Sequence, residues 1–197
     1  IPLYYVMNIG AHVSSSGGLW NAPKNAAAIG CETFQFFSRP PQSGTAKAIT
    51  QETADRFRAA MKSSGIKTSY IHAPYILNLA SASDRIFHAS ISIIRQELER
   101  GSLLGCKAVM FHPGSAKDNG KKVGMMRVVD GLNKILDGYK GDCRLLLEIS
   151  AGAGTVVGDT FEEIAYFLKN TERENEIGVC FDTQHAFASG YDIRTKE

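Results

Sequence analysis

The chain has 197 residues, of which 44% are apolar and 21% charged, and a formal charge of +2. That length allows one sizeable core or two small ones, and the composition is that of a folded soluble protein. No apolar run approaches the roughly 18 residues of a membrane helix. The balanced charge neither supports nor excludes duplex binding, because a basic face can hide in a neutral total.

The opening "IPLYYVMNIG" lacks the basic start and long apolar stretch of a signal peptide. Met7 stands just before "NIGAH", so residues 1–6 read as an upstream extension. "YYVMNIGAH" is a first strand ending at His12, and "TFQFF" a second ending at Phe37. "SRPPQSGTAKAIT" (Ser38 to Thr50) is rich in breakers and reads as a long loop. In "TADRFRAAMKSSG", Ala54, Phe57 and Met61 mark one helical face, with Gly65 as the C-terminal cap. "TSYIHAP" is a third strand around His72. "DRIFHASISIIRQELERGSLLG" carries a stripe of Phe87, Ile91, Ile94 and Leu98, with His88 off the stripe and Gly105 after the end.

"AVMFHPG" is a fourth strand around His112, and Pro113 and Gly114 turn the chain directly after it. "KKVGMMRVVDGLNKIL" is helical but weakened by Gly124 and Gly131. "RLLLEIS" is a fifth strand around Glu148. The Gly-rich "SAGAGTVVGD" (Ser150 to Asp159) lacks dinucleotide spacing and a Lys-Ser/Thr ending, so it reads as a flexible connecting loop. In "TFEEIAYFLKN", Thr160 and Glu163 have capping-box spacing, with Phe161, Ile164, Ala165 and Leu168 as the buried face. "GVCFDTQ" is a sixth strand around Asp182.

These strands are mostly continuous apolar runs whose ends lie 25 to 40 residues apart, as parallel βαβ units require. The fold class is therefore α/β. Either the sheet is open, or the chain is a TIM (β/α)8-type barrel with about six of its eight units. Cys31, Cys106, Cys143 and Cys180 are scattered without a CxxC, as expected of free thiols in a reducing cytosol.

Residue placement favours the barrel, whose chemistry collects at the C-terminal ends of strands. His12, His72, His112, Glu148 and Asp182 each fall at or near a different strand end, and His185 follows Asp182 by three. Singly, each has a structural explanation: a hydrogen-bonded histidine, a capping Asp182, or a Glu148 paired with a cation. Together they place imidazole nitrogen and carboxylate oxygen on one rim, the donor set of a His2Glu zinc site.

The segments "IGAHVSSSGGL", "IHAPYILNLAS", "FHPGS", "LEISAGAG" and "GVCFDTQHAFASGYD" resemble the endonuclease IV family of AP endonucleases from about Asn8 to Arg194. The resemblance implies a TIM barrel with three zinc ions that cuts double-stranded DNA 5′ to an abasic site and leaves a 3′-hydroxyl. It implies a metal set of His72, His112, Glu148, Asp182 and His185. His72 and His112 would hold one zinc. Glu148 would bridge that ion to a second shared with Asp182 and serve as the catalytic carboxylate, and His185 would serve the third. His12 would support the cluster from behind. Arg39, Tyr75 and Ile76 would contact DNA. Manganese is an alternative metal, and only the first ion would be fully liganded by these residues. The implied protein is a cytoplasmic monomer without membrane contact, nucleoid-associated if bacterial or archaeal.

On this reading residues 1–197 are a single TIM-barrel domain incomplete at its C-terminal end, with the last two strands absent. Departures from the family pattern are Gln42 and Gly44 in place of Arg and Trp, Gln184 in place of Cys, and Ile149-Ser150 in place of Asn-Thr. Two other functions remain open. One is a metal-dependent sugar isomerase or epimerase on the same fold. The other is a non-catalytic remnant that binds metal or DNA.

Overall fold

The computed structural model describes residues 7–195, so the proposed extension over residues 1–6 lies outside them. In chain order the elements begin with β1 (Gly10–His12), α1 (Asn21–Ala28), β2 (Thr33–Phe36), α2 (Gln51–Ser64), β3 (Thr68–His72) and α3 (Asp84–Leu104). They continue with β4 (Ala108–Phe111), β5 (Gly114–Ser115), α4 (Lys121–Leu136), β6 (Arg144–Glu148) and β7 (Val156–Val157). The last are α5 (Phe161–Asn170), β8 (Ile177–Cys180) and α6 (Thr183–Ala188).

Six strands form one parallel sheet in the order β1-β2-β3-β4-β6-β8, a run of consecutive barrel staves. Every pairing is parallel, and each neighbour follows through a helix, as βαβ connection demands. Among the described residues β1 and β8 end the sheet, so each leaves one edge unpaired. The core lies between sheet and helices and includes Phe34, Phe36, Phe57, Ile71, Leu98, Phe111, Leu132 and Phe167, all under 2% exposed.

The helices close as their sequences require. Thr50 Oγ1 accepts from the Thr53 amide at the start of α2, and Gly65 takes a left-handed φ of 70° at its end. Gly105 ends α3 with φ 78°. The two glycines of α4 have a packing cause. A Cβ at Gly124 would stand 2.4 Å from that of Ala116, and one at Gly131 would stand 3.0 Å from Leu79 Cδ2. The low helix propensity of glycine is accepted so that α4 can approach its neighbours closely.

Several expectations change. Helix α1, which buries Ala22, Pro23 and Ala26, has too weak a pattern to stand out in the sequence. In α5 the buried pair is Ile164 and Phe167, while Phe161 is 46% exposed against Phe181 and Tyr191. The capping box is half formed: Thr160 Oγ1 accepts from the Glu163 amide, but Glu163 Oε2 accepts from Gly158 N. The Gly-rich segment is not a free loop, because β7 within it pairs antiparallel with β5. Asn78 ties that ribbon to the loop after β3, accepting from Ser115 N and donating to Ser115 O. The four cysteines are free thiols, and burial raises the pKa of Cys106 and Cys180 to about 12. No helix among the described residues is long and apolar enough to cross a membrane.

Candidate metal centre

The strand ends converge. Glu148 closes β6 and His72 closes β3, His112 follows β4 by one residue, and Asp182 caps α6 just beyond β8. Ligand atoms of His72, His112 and Glu148 lie within 4.8 Å of one another, and so do those of Glu148, Asp182 and His185. Glu148 belongs to both sets. It is 4% exposed. Its Oε2 lies 3.2 Å from His72 Nε2 and 3.9 Å from His112 Nε2, and its Oε1 lies 3.6 Å from His185 Nδ1.

The orientation of His72 decides what this cluster can hold. Its Nδ1 is 2.7 Å from the Ala73 carbonyl oxygen, which can only accept, so Nδ1 carries the proton. A neutral ring then presents the bare lone pair of Nε2 to a carboxylate oxygen. Oε2 is buried and has no hydrogen-bond partner. Two acceptors face each other, and only a cation between them satisfies both. A proton on His72 is one such cation. Burial works to lower the His72 pKa, but contact with Glu148, the Ala73 carbonyl and the charges of Glu148 and Asp182 together raise it. Burial lowers the pKa of His112, with His72 and His185 adding to that effect and Glu148 and Asp182 opposing it. A divalent metal is the other cation that fits, and neutral imidazole with carboxylate is the donor chemistry it takes.

The capping explanation of Asp182 is correct without being sufficient. Asp182 Oδ1 accepts from the His185 amide at 2.8 Å, while Oδ2 lies 3.8 Å from His185 Nδ1. One oxygen caps the helix and the other faces the cluster. His185 Nδ1 also donates to the Ile149 carbonyl at 3.0 Å, which fixes its ring. His185 therefore stands beside Glu148 and Asp182 with its Nδ1 engaged by a backbone carbonyl.

His12 is exposed and stands one ring behind the cluster. Its Nδ1 is 2.7 Å from Gln35 Oε1, and its ring packs on Phe37 at 4.5 Å between centroids. Phe37 in turn packs on His72 and Tyr75. This aromatic link went unnoticed in the sequence, although Phe37 closes the "TFQFF" run. Tyr75 and Ile76 project outward, 61% and 47% exposed. A groove of about 1200 Å³ runs beside the cluster between the β1–α1 loop and the Ser38–Thr50 loop, lined in part by His12, Phe37 and Lys47. None of the five clustered ligands lines it.

Arg39 requires correction as a DNA contact. Its side chain is 1% exposed, and its guanidinium is spent on Glu97 Oε1, the Gly44 carbonyl and Gln96 Oε1. No face of it remains for a phosphate. Glu97, fully buried, is the carboxylate that sequence reading missed. The signal was there: Glu97 lies three residues after Ile94, on the stripe side of α3.

With this geometry established, comparison places the chain. The xylose isomerase-like TIM barrel family matches residues 23–197. A protein of Methanoculleus marisnigri named probable endonuclease 4 is 39% identical over 190 residues, covering 96% of this chain and 67% of its own. The crystal structure of endonuclease IV from Thermus thermophilus superposes with a TM-score of 0.83 at 34% identity, over 94% of this chain and 66% of that one. A D-psicose 3-epimerase structure superposes with a TM-score of 0.73 at 18% identity, which shows a shared fold alone. The chain spans about two thirds of the length of these endonuclease relatives.

Fold and rim cluster together define a xylose isomerase-like TIM barrel. Within that class the chain belongs to the endonuclease IV family.

Proposed function

We propose that this chain carries the metal-binding rim of a zinc-dependent AP endodeoxyribonuclease, which hydrolyses the phosphodiester 5′ to an abasic site and leaves a 3′-hydroxyl. The observation that carries the reading is the facing pair of acceptors, His72 Nε2 and Glu148 Oε2, on a carboxylate shared by two ligand sets. His72, His112 and Glu148 would hold one ion, and Glu148, Asp182 and His185 would contribute to a second or third. Zinc suits the imidazole-rich donors, and manganese is accommodated by the same carboxylates.

Bound there, divalent metal supplies Lewis acidity toward phosphoryl oxygen and a lowered pKa for attacking water. The protein's own part is orientation. The Ala73 carbonyl holds His72 with Nε2 toward Glu148, and the Ile149 carbonyl holds the His185 ring. Asp182 keeps one oxygen free by capping with the other. Tyr75 and Ile76 would enter the duplex at the lesion, where a missing base leaves a gap that is less costly to open than an intact pair. A monomer acting on double-stranded DNA in the cytoplasm fits this reading.

The test is a duplex holding a tetrahydrofuran in place of one nucleotide, compared with the same duplex intact. The zinc-loaded protein is expected to bind or cut the abasic duplex preferentially, and any cut end should carry a 3′-hydroxyl. Equal treatment of the two duplexes in both binding and cutting overturns the reading.

A further inference from the structure

The Ser38–Thr50 loop has no regular secondary structure, yet its backbone is held at several points by two arginines. Arg39 Nη1 donates to the Gly44 carbonyl at 2.7 Å, Arg100 Nη1 donates to the Lys47 carbonyl at 2.8 Å, and Arg100 Nη2 donates to the Ser38 carbonyl. Both guanidiniums are largely removed from water, with side chains 1% and 12% exposed. One residue supplies their counter-charge. Glu97 Oε1 lies 2.5 Å from Arg39 Nε and 3.4 Å from Arg100 Nε, while Glu97 Oε2 accepts from Ser38 Oγ at 2.5 Å. A carboxylate with no solvent exposure in the middle of a helix is costly unless fully paired, and this one is.

The loop passes this order on. The Pro41 carbonyl accepts from Tyr75 N at 2.9 Å, which fixes the backbone of the exposed pair. Gly44 lies under Ile76: a Cβ at Gly44 would stand 3.6 Å from Ile76 Cδ1 and 3.1 Å from Ile93 Cδ1. Phe37, directly before the loop, packs edge-on to Tyr75. We infer that Glu97 is a positioning residue for substrate recognition: its buried carboxylate, through Arg39, Arg100 and the Ser38–Thr50 loop, sets the placement of Tyr75 and Ile76. The inference rests on the reading of Tyr75 and Ile76 as the pair that enters abasic DNA. The polar contacts of Glu97 are to Arg39, Arg100 and Ser38, none of them a candidate metal ligand.

The test compares the wild-type chain with Glu97→Gln, which keeps the shape and removes the charge. The probe is a tetrahydrofuran-containing duplex with 2-aminopurine opposite the lesion, measured against its intact counterpart. Loss of a preorganised loop is expected to lower the preference for the abasic duplex by about tenfold. The 2-aminopurine signal of insertion should fall with it, while bound zinc and affinity for the intact duplex stay at wild-type values. A merely structural residue would lower all of these together or none of them. If Glu97→Gln shows no cooperative melt, Arg100→Lys decides on the same readouts, because it keeps the charge and loses the forked grip on Ser38 and Lys47. A folded variant with wild-type abasic preference and wild-type 2-aminopurine signal overturns the inference. A wild-type chain that has no abasic preference instead overturns the underlying reading, and the inference falls with it.

Discussion

Nε2 of His72 and Oε2 of Glu148 stand 3.2 Å apart as two facing acceptors, because the other ring nitrogen of His72 is committed to the Ala73 carbonyl. Glu148→Gln replaces one acceptor by an amide that can donate. In chelated protein at alkaline pH the amide satisfies the His72 lone pair, so the variant should melt no lower than wild type. Bound metal should fall sharply, because both ligand sets lose the carboxylate they share. Any phosphodiesterase activity should drop by roughly a hundredfold or more, because the carboxylate would no longer help hold the metal that activates water and polarises phosphoryl oxygen. Calorimetric melting with and without zinc, beside an incision assay, checks all three outcomes.

Two of the histidines around Glu148, His72 and His112, should pull stability in opposite directions with pH. The pKa of His72 is raised in the folded chain. Its protonated form therefore stabilises the metal-free fold below the ordinary value of about 6.5, and this contribution is lost as pH rises through the folded value. The pKa of His112 is lowered. Its contribution is present above the ordinary value and is lost as pH falls through the folded one. In chelated protein, His72→Asn should therefore cost more melting temperature at about pH 5.5 than at about pH 8, and His112→Asn the reverse. Parallel curves for the two variants would refute this arrangement of charges.

Gly124→Ala should destabilise the protein although alanine is the better helix former. The helix gains about 1 kcal/mol from the exchange. The new Cβ would sit 2.4 Å from the Ala116 Cβ and 3.3 Å from that of Ala80, both buried atoms that cannot rotate aside. Overpacking of this kind costs about 1–3 kcal/mol and should equal or exceed the gain. A urea midpoint above wild type would show that α4 can move off the β5–β7 ribbon freely.

Much of this arrangement could be read in the sequence because two periodicities and one geometric rule carry it. Continuous apolar runs mark the buried strands, and His72, His112, Glu148 and Asp182 follow those runs directly, where a barrel keeps its chemistry. Thr160 and Gly65 mark helix ends by local bonding alone, and such signals need no tertiary knowledge. What escaped was decided at long range. Phe161 and Phe167 both lie on apolar arcs of α5, and only the position of the sheet chooses Phe167. The Gly-rich segment became a ribbon because Gly114 and Ser115, some forty residues earlier, offered it a partner. Arg39 looked free for DNA because its partner Glu97 lies 58 residues away in the chain.

The central claim is that His72, His112 and Glu148 hold one divalent ion. Anomalous diffraction at the zinc edge, on crystals of the zinc-loaded protein, tests it most directly. The account predicts an anomalous peak in contact with His72 Nε2, His112 and a Glu148 oxygen, with Nδ1 of His72 still on the Ala73 carbonyl. Zinc-saturated crystals with no peak among these three residues, and His72 paired to Glu148 through a proton alone, would contradict it.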